Sequence, residues 1–318
     1  MNNLVFSLNS TLPVFIVMVV GYILKNINFF DDRFIKMSNK LVFRVTLPML
    51  LYSQMSSIDI HSQFDTKYVL FCAFATTAAF FTIWILAHFL IKDKKAVGEF
   101  VQASYRSSAA ILGAAYITNM YGSVGLTPLM MIGSVPLFNV YAVLVLTLES
   151  PDALKSGQAA KRLKSAFINI LKNPIIDSIA VGLLASAVRF KLPPIAEKSV
   201  DSLAVMTTPL SLIAIGASFK AQDMFKSIKY TSVSSVIKLI VLPAVFLPMA
   251  VRLGFSDQKI VALIVMLGSC STPTCFVMAQ NMGHNGTLSS GAVVMTTLFS
   301  TVTLTFWIFI ARTMGYIA

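Results

Sequence analysis

The chain has 318 residues, 56% of them hydrophobic and only 12% charged, against roughly 25% charged residues in an average soluble protein. A soluble domain could not hide that much apolar surface, so the composition excludes one and leaves room for about ten membrane spans at ~20 residues each. The net charge of +12 does not indicate a nucleic-acid partner, because the cations stand in short clusters between apolar runs, the pattern of loops at a cytoplasmic membrane surface.

In chain order, the first apolar run has no Lys or Arg before Lys25 and no small-residue cleavage pattern, so it is expected to remain as a spanning helix. Ten spans are expected, at about 4–24, 34–56, 68–91, 100–121, 126–148, 167–188, 198–218, 230–252, 258–280 and 288–314. None alternates as a barrel strand would, so helices are the remaining way to satisfy the backbone in lipid. The loops after spans one, three, five and seven hold fourteen Lys and Arg, and those on the other side hold four. The excess predicts both termini outside and the polar linker 149–166 in the cytoplasm. Cys72, Cys270 and Cys275 lie in apolar segments, without disulfide or metal spacing, and read as small core residues. His61, His88 and His284 have no ligand spacing either, so no cofactor or metal is expected.

The sequence matches itself at an offset of 161 positions. Pro13 falls on Pro174, Val20-Gly21 on Val181-Gly182, Thr46 on Thr207, Pro48 on Pro209, Ser108 on Ser269, and Gly122 on Gly283. Two proline pairs and two glycine pairs at one ungapped offset predict duplicated halves, 1–148 and 167–318, joined by the linker. Five spans per half is odd, so the second half enters the membrane the opposite way round. Inverted halves are typical of secondary transporters.

Span nine contains Gly268-Ser-Cys-Ser-Thr-Pro-Thr-Cys275, in which Pro273 removes a backbone donor. The matching stretch of span four is Ser104-Tyr-Arg-Ser-Ser-Ala-Ala-Ile-Leu-Gly113. Pro273 alone reads as a kink; the matched clusters favour a break in both helices at one depth. Half-helix ends would then offer free N–H groups to an anion. The expected binding set is Ser107, Ser108 and Gly113 from one half and Ser271, Thr272, Pro273 and Thr274 from the other, with Asn139 close by. The alternative location is the wall of Thr46-Leu-Pro48 and Thr207-Thr-Pro209.

Ionisable groups within spans are costly and so are functional candidates. Two roles are open to Arg106: attracting a carboxylate or capping helix carbonyls. Lys238 reads as a brace that donates to carbonyl ends in place of a bound cation. Arg44 reads as snorkelling toward the interface. Asp177 is the one candidate for a proton relay, against an interfacial ion pair.

At these residues the chain resembles the auxin efflux carrier family, in its bacterial branch. The resemblance is carried by Ser104-Tyr105-Arg106-Ser107-Ser108, Gly113, Met120-Tyr121-Gly122, Asn39-Lys40-Leu41-Val42 with Leu47-Pro48, Lys238 with Pro243, and Thr272-Pro273-Thr274. The family usually has Asn at the place of Ser108 and Pro at that of Ala115, and many plant members carry a long cytoplasmic loop that is absent here. The resemblance implies ten helices with four and nine broken and crossing. Spans one, two, six and seven would form a scaffold and homodimer interface, and spans three to five and eight to ten a moving transport domain. It also implies an organic-anion substrate, such as an auxin-like acid or malate, at the plasma membrane.

A carrier that works by alternating access, of elevator or rocking type, is therefore the leading reading. A channel shares the topology. A membrane-embedded enzyme lacks its motifs: there is no His-Glu-x-x-His and no second intramembrane Asp. An ATP-driven pump lacks the Gly-x4-Gly-Lys-Ser/Thr loop.

Overall fold

The computed structural model describes residues 2–58, 65–109, 116–118, 120–122, 125–151, 167, 168, 170–219 and 221–317. Gly113, Ala115, His61 and linker residues 152–166 lie outside this set. All regular structure among the described residues is helical. The helices are α1 (Asn2–Asn26), α2 (Asp32–Leu41), α3 (Leu47–Ser56), α4 (Thr66–Leu90), α5 (Val97–Tyr105), α6 (Thr127–Leu148) and α7 (Pro174–Ala187). After them come α8 (Pro194–Val205), α9 (Thr207–Ser218), α10 (Ala221–Val236), α11 (Leu242–Arg252), α12 (Gln258–Gly268), α13 (Thr274–Asn281) and α14 (Thr287–Thr313).

Among the described residues, five helical stretches are long and apolar enough to cross a membrane: Thr66–Leu90, Thr127–Leu148, Pro194–Ser218, Ser227–Arg252 and Thr287–Thr313. At 1.5 Å per residue each matches or exceeds the ~30 Å hydrocarbon layer. Leu12–Asn26, Pro174–Ala187 and Gln258–Gly268 are shorter apolar helices. The molecule is a multi-pass membrane protein.

Helix starts differ from the hydropathy reading where capping chemistry intervenes. The apolar helix α7 begins at Pro174, not at 167, because the Asn173 side chain accepts from Ile175 N (3.0 Å) and proline suits the first helical position. The next span begins at Pro194, not at 198, with proline at its first helical position and the charged Glu197 and Lys198 close behind. The polar first half of α10 hides its start at Ala221 from hydropathy in the same way.

Two π turns join collinear helices, Val42–Thr46 between α2 and α3 and Ile237–Val241 between α10 and α11. Each sits just before a proline, Pro48 or Pro243. A proline has no N–H for the carbonyl one turn back, and the chain widens to bonds five residues long, Leu47 N to Val42 O and Leu242 N to Ile237 O. The α8–α9 junction at Met206 likewise precedes Pro209.

Packing is densest within two groups of helices, and α1 also lies along α14 and so joins them. In the first, α1 lies along α9, and α3 along α7 and α8. A Cβ on Gly21 would stand 2.4 Å from Ile213 O, and one on Gly182 would stand 2.8 Å from Met55 Cβ, so only glycine allows these close approaches. In the second group, α4 packs on α5 and α6, α10 on α14, and α11 on α12. Glu99 of α5 ties this group together: its two buried carboxylate oxygens accept from Gly286 N (2.9 Å) and Ser289 N (3.0 Å) at the start of α14. Asp65 caps α4 through Tyr68 N (3.0 Å) and pairs with Lys259 at the start of α12 (2.6 Å). The hydrogen bond from Lys259, then that from Tyr68 N–H, holds the Asp65 carboxyl below its ordinary range.

Candidate functional site

Two helices stop inside the second group. α5 ends at Tyr105, where Arg106 turns extended (φ −78°, ψ 132°). α12 ends at Gly268, and the chain resumes as a helix only at Thr274, after Pro273. The two interruptions meet, and Ser108 N donates to Cys270 O (2.9 Å). Side chains complete the seam. Ser271 Oγ donates to Ala103 O (2.7 Å) and Gln102 Nε2 to Cys275 O (2.8 Å), while Ser271 N donates to Thr296 Oγ1 of α14 (3.0 Å). Breaking a helix in an apolar interior strands its end carbonyls and N–H groups, and each needs a partner there.

One face of this contact is closed by Lys238, which is fully buried on the π turn before α11. Its ammonium donates to Tyr105 O (3.1 Å), Leu267 O (3.0 Å) and Met266 O (3.4 Å), and also contacts Ser107 Oγ. Ser107 Oγ in turn donates to Met266 O. Tyr105 and Leu267 lie at the C-terminal ends of α5 and α12, where the helix dipoles put partial negative charge. One ammonium thus serves both ends, and no small cation is needed to hold them.

The other face borders a cavity of about 50 Å³, room for a water or two. Arg106, Ser107, Ser108, Asn139, Thr272 and Thr274 line it from the second group. Arg106 is 3% exposed. Its Nη2 donates to Asn139 Oδ1 (2.7 Å), and Asn139 is itself fixed by donating to Val135 O (2.9 Å). Its Nη1 meets only the weak thioether acceptor Met278 Sδ, at 2.6 Å. No acidic side chain pairs with it among the described residues. The Thr272 and Thr274 hydroxyls stand 3.1 Å apart at the start of α13. The wall therefore holds a desolvated guanidinium, several hydroxyls and a helix N-terminus, and an anion complements each of them.

The first group supplies the opposite wall: Leu47, Leu50, Leu51 and Gln54 of α3, and Thr208 of α9. Thr208 lies within the repeated Thr-x-Pro element, and that repeat is the sequence signal for it. Gln54 carries no such signal. Ser271 is fully buried in the seam and does not line the cavity, and neither do Pro273 and Lys238. Asp177 is exposed in the first turn of α7 and is not part of the wall. Gly113 lies outside the described residues.

A family model described as "Membrane transport protein" matches residues 6–308. The chain belongs to this family, that of the auxin efflux carriers. Relatives span its whole length. An "Uncharacterized transporter YfdV" of Escherichia coli (strain K12) is 22% identical over 97% of this chain and 99% of its own. An "Uncharacterized transporter MJ1031" of Methanocaldococcus jannaschii is 22% identical over 93% of this chain and 96% of its own. A "Putative malonate transporter" of Rhizobium meliloti is 23% identical over 95% of this chain and 94% of its own.

Proposed function

We propose that this membrane transporter is a secondary carrier for a small organic anion, whose carboxylate binds where the two interrupted helices cross. The observation that carries the reading is Arg106: a buried cation, held by an amide and a thioether, on the wall of a cavity that both helix groups border. A buried guanidinium without a carboxylate partner is costly, and a substrate carboxylate supplies what is missing. Ser108, Thr272 and Thr274 add hydroxyl donors. The name of the Rhizobium relative as a putative malonate transporter favours a short dicarboxylate.

Ten spans in two inverted halves are part of the proposal. The packing of α1 on α9 and of α7 on α3 supports it, because these are the same contact with the halves exchanged. In this reading the first group is the scaffold and homodimer interface, and the second is the transport domain. The scaffold faces the cavity mostly through leucines, with Gln54 and Thr208 as its polar groups, and keeps few polar bonds to the other group, an arrangement suited to sliding in an elevator motion. A crevice of about 970 Å³, lined by Lys25, Lys36 and Lys95, separates the groups on the Lys- and Arg-rich side. With that side in the cytoplasm and both termini outside, the crevice favours an inward-facing state of a plasma-membrane carrier.

Purified protein in liposomes loaded with unlabelled malonate, and supplied outside with labelled malonate, provides the test. Transient counterflow accumulation is expected, and Arg106→Gln should abolish it. Flux that rises linearly with malonate and shows no counterflow would identify a channel and overturn the carrier reading.

A further inference from the structure

The geometry points to a second anion site, separate from the crossing: a crevice of about 540 Å³ between α2–α3 and the ends of α6 and α13, where Arg44 and Lys172 would take the carboxylate or phosphate group of a ligand from the Lys- and Arg-rich side. Its size falls within the range of small-molecule pockets. Arg44 sits on the π turn ahead of Pro48, and Lys172 on the turn before α7, so two separate backbone irregularities of the scaffold deliver the two cations to one cavity. No acidic side chain lines it among the described residues. The other large crevice differs in this respect: its Lys25, Lys36 and Lys95 are matched by Asp32, Asp93 and Glu99, and Lys25 already pairs with Asp32 at 2.7 Å.

A neutral group in the wall favours the same ligand. Asn173 accepts from Ile175 N through its amide oxygen, which leaves its Nδ2 hydrogens as donors. Two cations and an amide donor form a set for an oxyanion, and arginine's planar fork matches carboxylate and phosphate alike. Two sources carry that group: a soluble carboxylate or phosphate, and the phosphate of an anionic lipid in the adjoining leaflet. The site does not depend on the crossing being a substrate site, since the two cavities share no lining residue.

Met282 lines this crevice and Cys72, Cys270 and Cys275 are all buried, so Met282→Cys places a thiol there that an uncharged maleimide can follow. Its modification rate is measured with malonate, with inorganic phosphate and with chloride at equal ionic strength in lipid-free detergent. It is then measured in nanodiscs of phosphatidylcholine with and without phosphatidylglycerol. An occupant at twice its Kd slows modification about threefold, since only the free fraction reacts. Slowing by malonate or phosphate over chloride supports a soluble-anion site, and slowing only by phosphatidylglycerol supports a lipid-phosphate site. In either case Arg44→Gln with Lys172→Gln should erase the effect. Both residues are exposed, so the pair should leave the melting temperature unchanged. Ser108→Val, at the crossing, should leave the protection intact. No slowing by any of the three probes would overturn the inference. So would slowing that survives Arg44→Gln with Lys172→Gln, or that is lost with Ser108→Val.

Discussion

The two faces of the contact between the interrupted helices are built from the same pair of breaks but are satisfied in opposite ways. On the Lys238 face, carbonyls from the ends of α5 and α12 converge on one ammonium, which has oxygens on every side. On the cavity face, Arg106 has one amide oxygen and one sulfur, and Thr272 and Thr274 bond chiefly to each other. A helix interrupted in an apolar interior exposes donors and acceptors together. Each face carries one buried cation: Lys238 spends its donors on carbonyls, whereas Arg106 keeps donor capacity, which the proposed carrier would offer to its ligand.

The comparison breaks first at Lys238. Lys238→Met leaves several buried carbonyls unpaired at roughly 1–3 kcal/mol each, so the melting temperature in detergent should fall by about 10 °C or more. Unchanged melting with lost anion binding would show that Lys238 serves the ligand and not the fold. Next in size is Arg106→Gln. It should keep the fold and weaken malonate binding roughly 10- to 100-fold, the worth of one charge-assisted hydrogen bond; isothermal calorimetry reads it. Loss of folded protein with normal affinity would assign Arg106 to structure. Ser108→Val and Thr272→Val should each weaken malonate binding about tenfold while melting normally. Wild-type affinity in both would move the site to the wall of Thr46–Pro48 and Thr207–Pro209. The smallest effect is a control that belongs to neither face, the Asp65–Lys259 pair. Its lowered carboxyl pKa means that its stabilisation is present at neutral pH and is lost as pH falls through that pKa, below about 4. Asp65→Asn should flatten the acid limb of a melting-temperature profile and leave malonate affinity unchanged.

Much of the fold was legible because lipid permits few solutions. Apolar runs without alternation had to be helices, and all regular structure among the described residues is helical. Helix starts were less legible, because the Asn173 cap and the prolines Pro174 and Pro194 at first helical positions set them, and a hydropathy window averages these away. The polar clusters at Ser107-Ser108 and Thr272-Thr274 could be read as a pair from the offset of 161 positions and from the helix-weakening Pro273. Their partners from the other helix group could not, Gln54 above all, because nothing local marks a residue whose neighbours are 50 or more positions away.

Composition, cation clusters and the position of Pro273 determined by themselves that this chain lives in a membrane, which runs are helices, and where two of them weaken, since each depends on local residue chemistry against water or lipid. Only the tertiary structure decided which donors were used up. Ser271, a candidate for the cavity by its position, is spent on Ala103 O. Lys238 is spent on the carbonyls of α5 and α12, whereas Arg106, two residues from Ser108, keeps capacity beside a cavity. Hydrogen-bond satisfaction is a property of which ends meet across the fold, and no stretch of sequence contains both.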